Sequence, residues 1–394
     1  MGKPSSGKST FFKAATLAEA EIANYPFTTI KPNHGVGYVK VDCAEKEFKV
    51  KCNPRFGYCI DGIRFVPIDM LDVAGLVPGA HKGLGRGNEF LDDLNQAHVL
   101  IHIVDVSGSE NEKGEPVAAL SYDPVKDVRF LEEELDMWYY RNITKGWEKF
   151  ARQIQQEHKE IAKAFGKQLS FLRIDENMIE EVIKKVGLDK EKYIGWKEND
   201  LKQMASLLRK MTKPMLIAAN KVDVPGAEKN FERLKKEFPD YVIIPCSSES
   251  ELALKEAAKH ELIKYIPGEK DFTITAPEKL SDNQKKALDF IKKHVLDQFG
   301  STGVQHVLDY AVLNLLKYIA IFPGGVNKLE DKDGNVLPDC FLLPNKSTAL
   351  DFAFHLHTDL GKHFIRAIDV RTKRVVGKDY LLKHRDVIEI VTSK

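Results

Sequence analysis

The hydrophobic positions of this chain follow strand and helix periodicities in separate blocks. Continuous apolar runs at 99–106 and 215–219 are typical of strands buried on both faces. Between residues 36 and 70, short apolar and polar alternations indicate further strands. From 123 to about 209 the apolar residues instead recur every three or four positions among many charges, which predicts helices. The chain therefore combines an α/β part with a helical or coiled-coil insert.

The C-terminal residues carry a third pattern. A turn-forming sequence, Pro323-Gly324-Gly325, is followed by mixed strand and helix signals. The predicted elements are a strand, a helix and two strands at 336–343, 348–357, 365–370 and 387–391. We therefore predict a small separate α+β domain at the end of the chain.

Charge and composition exclude several classes of function. The 394 residues carry a net charge of +1, so overall charge favours neither a nucleic acid nor a membrane, and we expect no DNA partner. We find no apolar run long enough to span a membrane and no signal peptide. Five cysteines without a C-x-x-C pair indicate reduced thiols, and we expect a cytoplasmic protein.

Three of the cysteines, Cys43, Cys52 and Cys59, lie close together in the sequence, with His34 nearby. Thiolate and imidazole are zinc ligands, so a zinc site is one interpretation. The spacings fit no standard zinc pattern, and we prefer the interpretation that these are small, half-buried side chains on strands.

The first residues predict a phosphate-binding loop. Residues 2–9, GKPSSGKS, match the pattern G-x-x-x-x-G-K-[ST] in full. Gly2 and Gly7 let the backbone wrap closely around phosphates. Lys8 then reaches the outer phosphates, and the Ser9 hydroxyl holds Mg²⁺. The other residues of the predicted nucleotide cradle are Lys3, Pro4, Ser5, Ser6 and Thr10.

The position of this loop is unusual, because a P-loop ordinarily follows a buried parallel strand and only Met1 precedes Gly2. We predict an α/β P-loop NTPase fold with a mostly parallel sheet whose first strand is missing. Either the given sequence starts late, or it has been trimmed, or another segment fills the central position. With the sequence as given, we expect a weakened sheet and a less rigid phosphate loop. The predicted regions are a P-loop domain at 1–122 and 210–322, a helical insert at 123–209 and the α+β domain at 326–394.

Three more loops follow in the order expected of a GTPase. Asp72-Val73-Ala74-Gly75 ends an apolar run, as a second phosphate-sensing loop would. Asn220-Lys221-Val222-Asp223 ends the strand at 215–219, and Cys246-Ser247-Ser248 ends the apolar run 241–244. Loops at strand ends in this order indicate nucleotide binding.

The second loop and the segment before it predict the triphosphate end of the site. Asp72 is expected to bind Mg²⁺ through water, and the Gly75 amide to sense the γ-phosphate. Thr29 is expected to close over the γ-phosphate and Mg²⁺. The predicted catalytic residues are thus Lys8, Thr29 and Gly75. Leu76 occupies the position where a Ras-type hydrolase has its water-orienting glutamine, so hydrolysis by the chain alone should be slow.

The third and fourth loops predict the base. The Asp223 carboxylate can accept hydrogen bonds from N1–H and the exocyclic amine of guanine, and adenine has no such pair of donors. Asn220 and Lys221 are expected beside the ring. Ser247 and Ser248 complete the predicted base site, with the Ser248 amide directed to O6. GTP or GDP is therefore favoured over ATP.

These motifs resemble the Obg-type GTPases of the translation-factor class and, within them, the YchF-like subfamily with a C-terminal TGS domain. The resemblance covers nearly the whole chain. The runs that carry it are 24–29 (NYPFTT), 72–80 (DVAGLVPGA), 83–91 (GLGRGNEFL), 348–361 and 385–390. It implies an apolar replacement of the catalytic glutamine, which agrees with Leu76, and association with ribosomes, ribosomal RNA or a translation complex.

Three departures qualify the resemblance. The mildest is Ser248, which stands where guanine-binding loops often have alanine, because the main-chain amide makes the contact. Ser5 stands where the family loop usually has the asparagine that is linked with monovalent cations, so potassium stimulation is doubtful. Many YchF-like members have lost the Asn-Lys-x-Asp pattern and prefer ATP, whereas this chain keeps it. We therefore predict a slow, Mg²⁺-dependent GTPase that acts as a ribosome-associated switch. An ATPase of the same family and a nucleotide-gated scaffold with negligible turnover are the alternatives.

Overall fold

A computed structural model describes residues 1–17, 34–73 and 95–393. Contacts within the chain divide it into two compact units. The first comprises Met1–Lys8 and Leu71–Cys246, and the second comprises Ser9–Met70 and Ser247–Lys394. None of the helices in these described ranges is both long enough and apolar enough to cross a bilayer.

Thirteen strands are present in the described residues. They are β1 His34–Asp42, β2 Tyr58–Ile60, β3 Ile63–Leu71, β4 Leu100–Asp105, β5 Met215–Asn220, β6 Ile243–Pro245, β7 Ile263–Tyr265, β8 Phe272–Ile274, β9 Tyr318–Pro323, β10 Phe341–Pro344, β11 Phe364–Asp369, β12 Arg374–Val376 and β13 Val387–Thr392.

Fourteen α-helices are present in the same part of the chain. They are α1 Lys8–Thr16, α2 Glu45–Phe48, α3 Val125–Thr144, α4 Trp147–Gln156, α5 Ile161–Gln168, α6 Glu176–Val186, α7 Glu198–Thr212, α8 Ala227–Glu237, α9 Ser248–Lys259, α10 Asp282–Ile291, α11 Asp297–Phe299, α12 Val304–Asp309, α13 Ala349–Leu356 and α14 Thr358–Lys362.

The first unit is built on a parallel sheet in the order β4-β5-β6. All six residues of β5 are buried, which confirms the prediction of a strand covered on both faces. In the register of β4 and β5, Asp105 lies opposite Asn220, so the carboxyl ends of the two strands are level. Ligands of open parallel sheets bind outside these ends.

Met1 takes part in this sheet through its main chain. Its amino group donates to the Ile101 carbonyl at 2.9 Å, and its own carbonyl accepts from the Ile103 amide at 2.8 Å. Burial lowers the pKa of the Met1 amino group to about 5. This pairing along β4 fixes the start of the phosphate loop.

The predicted helical region is confirmed, and it belongs to the first unit. Helices α3 to α7 share one apolar core, in which Trp147 and Trp196 stack with ring centroids 5.6 Å apart. Arg209 is buried and donates to the Asp136 carboxylate at 2.8 Å, which compensates its charge. The repeat of three and four residues therefore describes a packed helical core.

The second unit contains a sheet in the order β1-β3-β2 and a five-stranded sheet in the order β10-β9-β13-β11-β12. The five-stranded sheet and α13 form the predicted α+β fold. The apolar residues at 304–319 predict a helix that ends at Ile319. The structure instead begins β9 at Tyr318, and β9 lies in this sheet antiparallel to β10 and parallel to β13. The helix pattern misled because β9 is buried on both faces and shows no alternation.

Asp309, at the end of α12, is a half-buried acid of the second unit. One oxygen, Oδ1, accepts from the Lys40 amide at 2.7 Å and from Nε2 of Gln305 at 2.8 Å. Burial is the largest cause that raises its pKa to about 7. The folded state thus holds this proton over a pH range in which the unfolded chain, with a pKa near 4, has lost it. Stability from this group is complete at low pH and decreases as the pH rises through about 7.

We expect Asp309→Asn to stabilise the protein relative to wild type, and the gain should be about 2–3 kcal/mol larger at pH 8 than at pH 5. The asparagine Oδ1 can still accept both hydrogen bonds, but it carries no charge to desolvate. Calorimetric unfolding at the two pH values measures the difference. Asp333→Asn, the same substitution in an exposed turn, is the control. An equal effect of Asp309→Asn at both pH values would contradict the assignment.

Candidate nucleotide site

The loop at residues 2–9 has a backbone that two glycines make possible. Gly2 has φ +154°, and a Cβ there would lie 2.4 Å from the Ile103 carbonyl oxygen of β4. Gly7 has φ +88°, and a Cβ there would lie 2.2 Å from Nδ2 of Asn220. The loop thus approaches the sheet closely at both positions, as the phosphate-loop pattern predicts. Ser5 lies between them in the left-handed region, with φ +61°.

Lys8 is held across this loop. Its ammonium donates to the Lys3 carbonyl at 2.8 Å, and the Ser6 hydroxyl donates to the same carbonyl at 3.1 Å. Burial lowers the pKa of Lys8, and the charges of Asp72 and Glu110 oppose that shift. Phosphate oxygens can replace the carbonyl as the acceptor of this ammonium, and Asp72 is close enough in space to act on its charge.

The Lys3 side chain has a structural role that the sequence pattern does not predict. It is buried, and its ammonium lies 2.9 Å from Oδ2 of Asp127 and 3.9 Å from the centre of the Tyr122 ring. It also donates to the Glu110 carbonyl at 2.9 Å. These contacts anchor the loop, so only the main chain of Lys3 is available to the predicted cradle.

Asn220 connects the predicted base loop to the phosphate loop. It is the last residue of β5, it is buried, and its Nδ2 donates to the Ser6 carbonyl at 3.0 Å. The contact explains why residue 7 must be glycine, since a methyl group at that position would occupy the place of the amide nitrogen. The two loops therefore form one geometric unit.

Lys221 is fixed by acids that the sequence analysis missed. Its backbone is left-handed, with φ +63°, and its ammonium lies 3.1 Å from Asp105 and 2.9 Å from Glu110. Burial acts to lower its pKa, but hydrogen bonds to Glu110 and Asp105 raise it overall. Asp105 ends a predicted parallel strand, and this position could have identified it as a site residue. No sequence feature identifies Glu110 in this way.

Asp223 is left available by the same turn. The amide of Val222 donates to the Cys246 carbonyl at 3.1 Å, and the amide of Val224 donates to the Lys221 carbonyl at 3.2 Å. The Asp223 carboxylate is half-buried, and no donor of the described ranges reaches it. A carboxylate in this state can accept two hydrogen bonds from a ligand.

Four predicted residues belong to the second unit. Ser9 is exposed and Thr10 is half-buried in the first turn of α1. Ser247 caps α9 by accepting from the Ser250 amide, and its own amide donates to the Thr302 carbonyl at 2.9 Å. Ser248, the first residue of α9, is buried. The hydroxyl of Ser9 at a helix start suits an Mg²⁺ ligand.

Three predicted residues lie outside the described residues. Thr29 falls within 18–33, and Gly75 and Leu76 fall within 74–94. The predicted catalytic role of Thr29 and Gly75, and the predicted effect of Leu76, stay predictions.

Comparisons with protein families agree with this geometry. Residues 1–132 match the family described as 50S ribosome-binding GTPase, and residues 330–392 match the TGS domain. Residues 218–325 match the domain described as Obg-like GTPase YGR210-like, G4 motif-containing. An uncharacterized GTP-binding protein of Methanocaldococcus jannaschii is 52% identical over 394 residues, covering 100% of this chain and 98% of the relative. The chain belongs to the YchF-like family of Obg-type GTPases.

Other members of this YchF-like family show how widely it extends. An uncharacterized GTP-binding protein of Schizosaccharomyces pombe is 36% identical and covers 89% of this chain, which covers 87% of that protein. The match to the crystal structure of a GTP-binding protein from Pyrococcus horikoshii covers 100% of this chain and 98% of that protein's chain. Its TM-score is 0.76 and the sequence identity is 39%. These likenesses confirm the predicted fold class, a P-loop GTPase fold with a helical region and a TGS domain.

We expect Gly7→Ala to weaken binding of GTP and GDP by about tenfold or more, because its methyl group would displace the Asn220 amide. Gly187→Ala is the matched control, since Gly187 has φ +77° but no atom within 4 Å of the place that the new methyl group would take. Both substitutions strain the backbone by about 1 kcal/mol, but only the first should affect affinity. Fluorescent GDP titration measures it, and unchanged affinity in Gly7→Ala would contradict this role of Asn220.

Proposed function

We propose that this protein binds GTP and hydrolyses it slowly with Mg²⁺, and that it acts as a switch on ribosomes in the cytoplasm. One observation carries most of the proposal. Asn220 ties the base loop to the phosphate loop at 3.0 Å, and the same loop leaves the Asp223 carboxylate free of partners in the described part of the chain. A site so arranged offers a phosphate grip and a guanine acceptor together.

The choice of guanine rests on hydrogen-bond chemistry. N1–H and the 2-amino group of guanine are two donors on one edge, and Asp223 can accept from both. Adenine would leave the half-buried carboxylate unsatisfied, at a cost of about 1–3 kcal/mol or more. Relatives from Methanocaldococcus jannaschii and Schizosaccharomyces pombe are named GTP-binding proteins, which supports the same choice.

Hydrolysis would use the residues around Lys8. In our proposal Lys8 and the Gly75 amide stabilise charge on the γ-phosphate, and Ser9, Thr29 and Asp72 hold Mg²⁺ directly or through water. Held by these residues, the metal would supply positive charge that neutralises the charge developing on the phosphates. The apolar Leu76 cannot orient a water molecule, so turnover without a partner would be slow.

Ribosome association is supported by named relatives and by the TGS surface. The YchF protein of Bacillus subtilis, 25% identical over 98% of this chain and 96% of its own length, is named a ribosome-binding ATPase. In the TGS region Arg371 and Arg385 pair with Glu47. Other basic side chains there are exposed and form no ion pair with the described residues, and these can meet RNA phosphates: Lys362, Arg366, Lys373, Arg374 and Lys378.

The ATPase alternative has a specific basis, because the Bacillus subtilis relative is named an ATPase. We expect Asp223→Ala to lower GTP affinity at least about tenfold and to leave ATP affinity nearly unchanged. Asp223→Asn should recover binding for xanthosine triphosphate, whose 2-oxo group accepts where guanine donates. Competition against fluorescent GDP measures all three nucleotides. Equal losses for GTP and ATP would favour the ATPase.

Single-turnover hydrolysis separates the switch from a scaffold. We expect ribosomes to increase the GTP hydrolysis rate by more than about tenfold. Leu76 cannot orient the attacking water, so in our proposal the ribosome causes it to be positioned. The double substitution Lys373→Glu and Arg374→Glu should lower both the ribosome-stimulated hydrolysis rate and the affinity of the protein for ribosomes. It should leave basal turnover unchanged. Lys279→Glu with Lys286→Glu, an equal charge change on exposed residues outside the TGS region, is the control. No stimulation at saturating ribosomes would favour the scaffold.

A further inference from the structure

Four potential metal ligands meet at one end of the β1-β3-β2 sheet in the second unit. They are Cys43, Glu45, Cys52 and Cys59, and their ligand atoms all lie within 4.8 Å of one another. Cys43 and Cys52 are buried, and Glu45 and Cys59 are half-buried. The predicted nucleotide site uses none of them.

The local chain path brings these side chains together. Cys43 directly follows β1, and its amide donates to the Gly62 carbonyl at 2.9 Å. The short helix α2 ends at a left-handed Lys49, φ +54°, which turns the chain back. The Cys52 amide then donates to Oε2 of Glu45 at 2.9 Å, while Cys59 lies in β2.

Two separations within the cluster suit a tetrahedral metal site, and all the others are within 4.8 Å. The Sγ atoms of Cys43 and Cys52 are 3.7 Å apart, and Sγ of Cys59 is 3.7 Å from Oε1 of Glu45. Two sulfurs bound at about 2.3 Å to one tetrahedral zinc ion are about 3.8 Å apart, close to the observed separation. A disulfide would require about 2.05 Å, and all of these cysteines are free.

A buried cation beside the cluster gives independent evidence. Arg64 is 0% exposed, and its Nη2 lies 3.9 Å from Sγ of Cys43 and donates to the Leu337 carbonyl at 2.6 Å. Its Nε and Nη1 have no hydrogen-bond partner, and no carboxylate in the described ranges pairs with it. A buried guanidinium cannot lose its proton, so it requires a counter-charge. Neutral thiols do not supply one.

We propose that Cys43, Glu45, Cys52 and Cys59 bind a divalent thiophilic ion, Zn²⁺ by preference, as a structural site. Three thiolates and a carboxylate around a divalent cation carry a net charge of −2, which compensates Arg64. The four protein ligands complete a tetrahedron and leave no open position for catalysis. The ion would join β1, α2 and β2, where a three-residue strand offers little hydrogen bonding of its own.

The test measures metal in the full-length protein. After expression with added zinc and dialysis without chelator, we expect about one equivalent of zinc per chain. Replacement by Co²⁺ should give the intense thiolate-to-cobalt charge-transfer band and the d–d bands of a tetrahedral site. Removing the ion with a chelator should lower the unfolding temperature, and returning zinc should restore it.

Substitutions assign the ligands. Cys52→Ser and Cys59→Ser should reduce bound metal to less than about a tenth of an equivalent, and Glu45→Gln should alter the cobalt spectrum. Cys340→Ser is the matched control, because Cys340 lies outside the cluster and should retain full metal. Should the cysteine variants not fold, the wild-type cobalt spectrum alone decides.

Three results would overturn the proposal. They are wild-type protein without metal and without a cobalt–thiolate band, equal metal loss in Cys340→Ser and Cys52→Ser, and a Cys43–Cys52 disulfide in the purified protein by intact mass.

Discussion

The hydrogen bond from the Asn220 amide to the Ser6 carbonyl is the constraint on which the nucleotide site depends. It joins the end of a buried strand to the middle of the phosphate loop, at 3.0 Å. Because the amide fills the space beside residue 7, that residue must be glycine. Because Asn220 faces the phosphate loop, the turn that follows carries Lys221 to its acids and leaves Asp223 free in the described part of the chain. One side-chain amide thus sets the distance between the phosphate grip and the predicted base acceptor.

The sequence could predict the features that depend on local pattern. Gly2 and Gly7 are recognisable from their spacing, and the buried strand before Asn220 from its apolar run, because backbone conformation and strand burial constrain residue type directly. The TGS region was predictable for the same reason, apart from β9. A strand buried on both faces has no alternation, so Tyr318 and Ile319, the first residues of β9, looked like the end of a helix.

Contacts between residues far apart in sequence could not be predicted. Lys3 pairs with Asp127 and Lys221 pairs with Glu110, and more than a hundred residues separate the partners in each pair. No sequence pattern near either lysine identifies its partner. The cysteine cluster was visible as a set, but its spacing is irregular because a helix, a left-handed turn and a hairpin bring it together. His34, which seemed a neighbour, instead lies at the far end of β1 against Asp69.

Compensation of buried charge follows the same rule in each of the two units. Lys3 and Arg209 each have a carboxylate within 2.9 Å. Among the described residues Lys213 donates only to the carbonyls of Asn95 and Ala97. Burial lowers the pKa of Lys213 to about 8, so it can lose its proton at modest cost. Arg64 differs from both cases, because a guanidinium stays protonated and its neighbours in the described residues are the Cys43 thiol, the Leu337 carbonyl and the Phe322 ring, none of which carries a negative charge. A buried charge needs a nearby opposite charge, as Lys3 and Arg209 show, so Arg64 needs an anion beside it. In our proposal that anion is the metal complex, whose three thiolates and one carboxylate outweigh the charge of the ion.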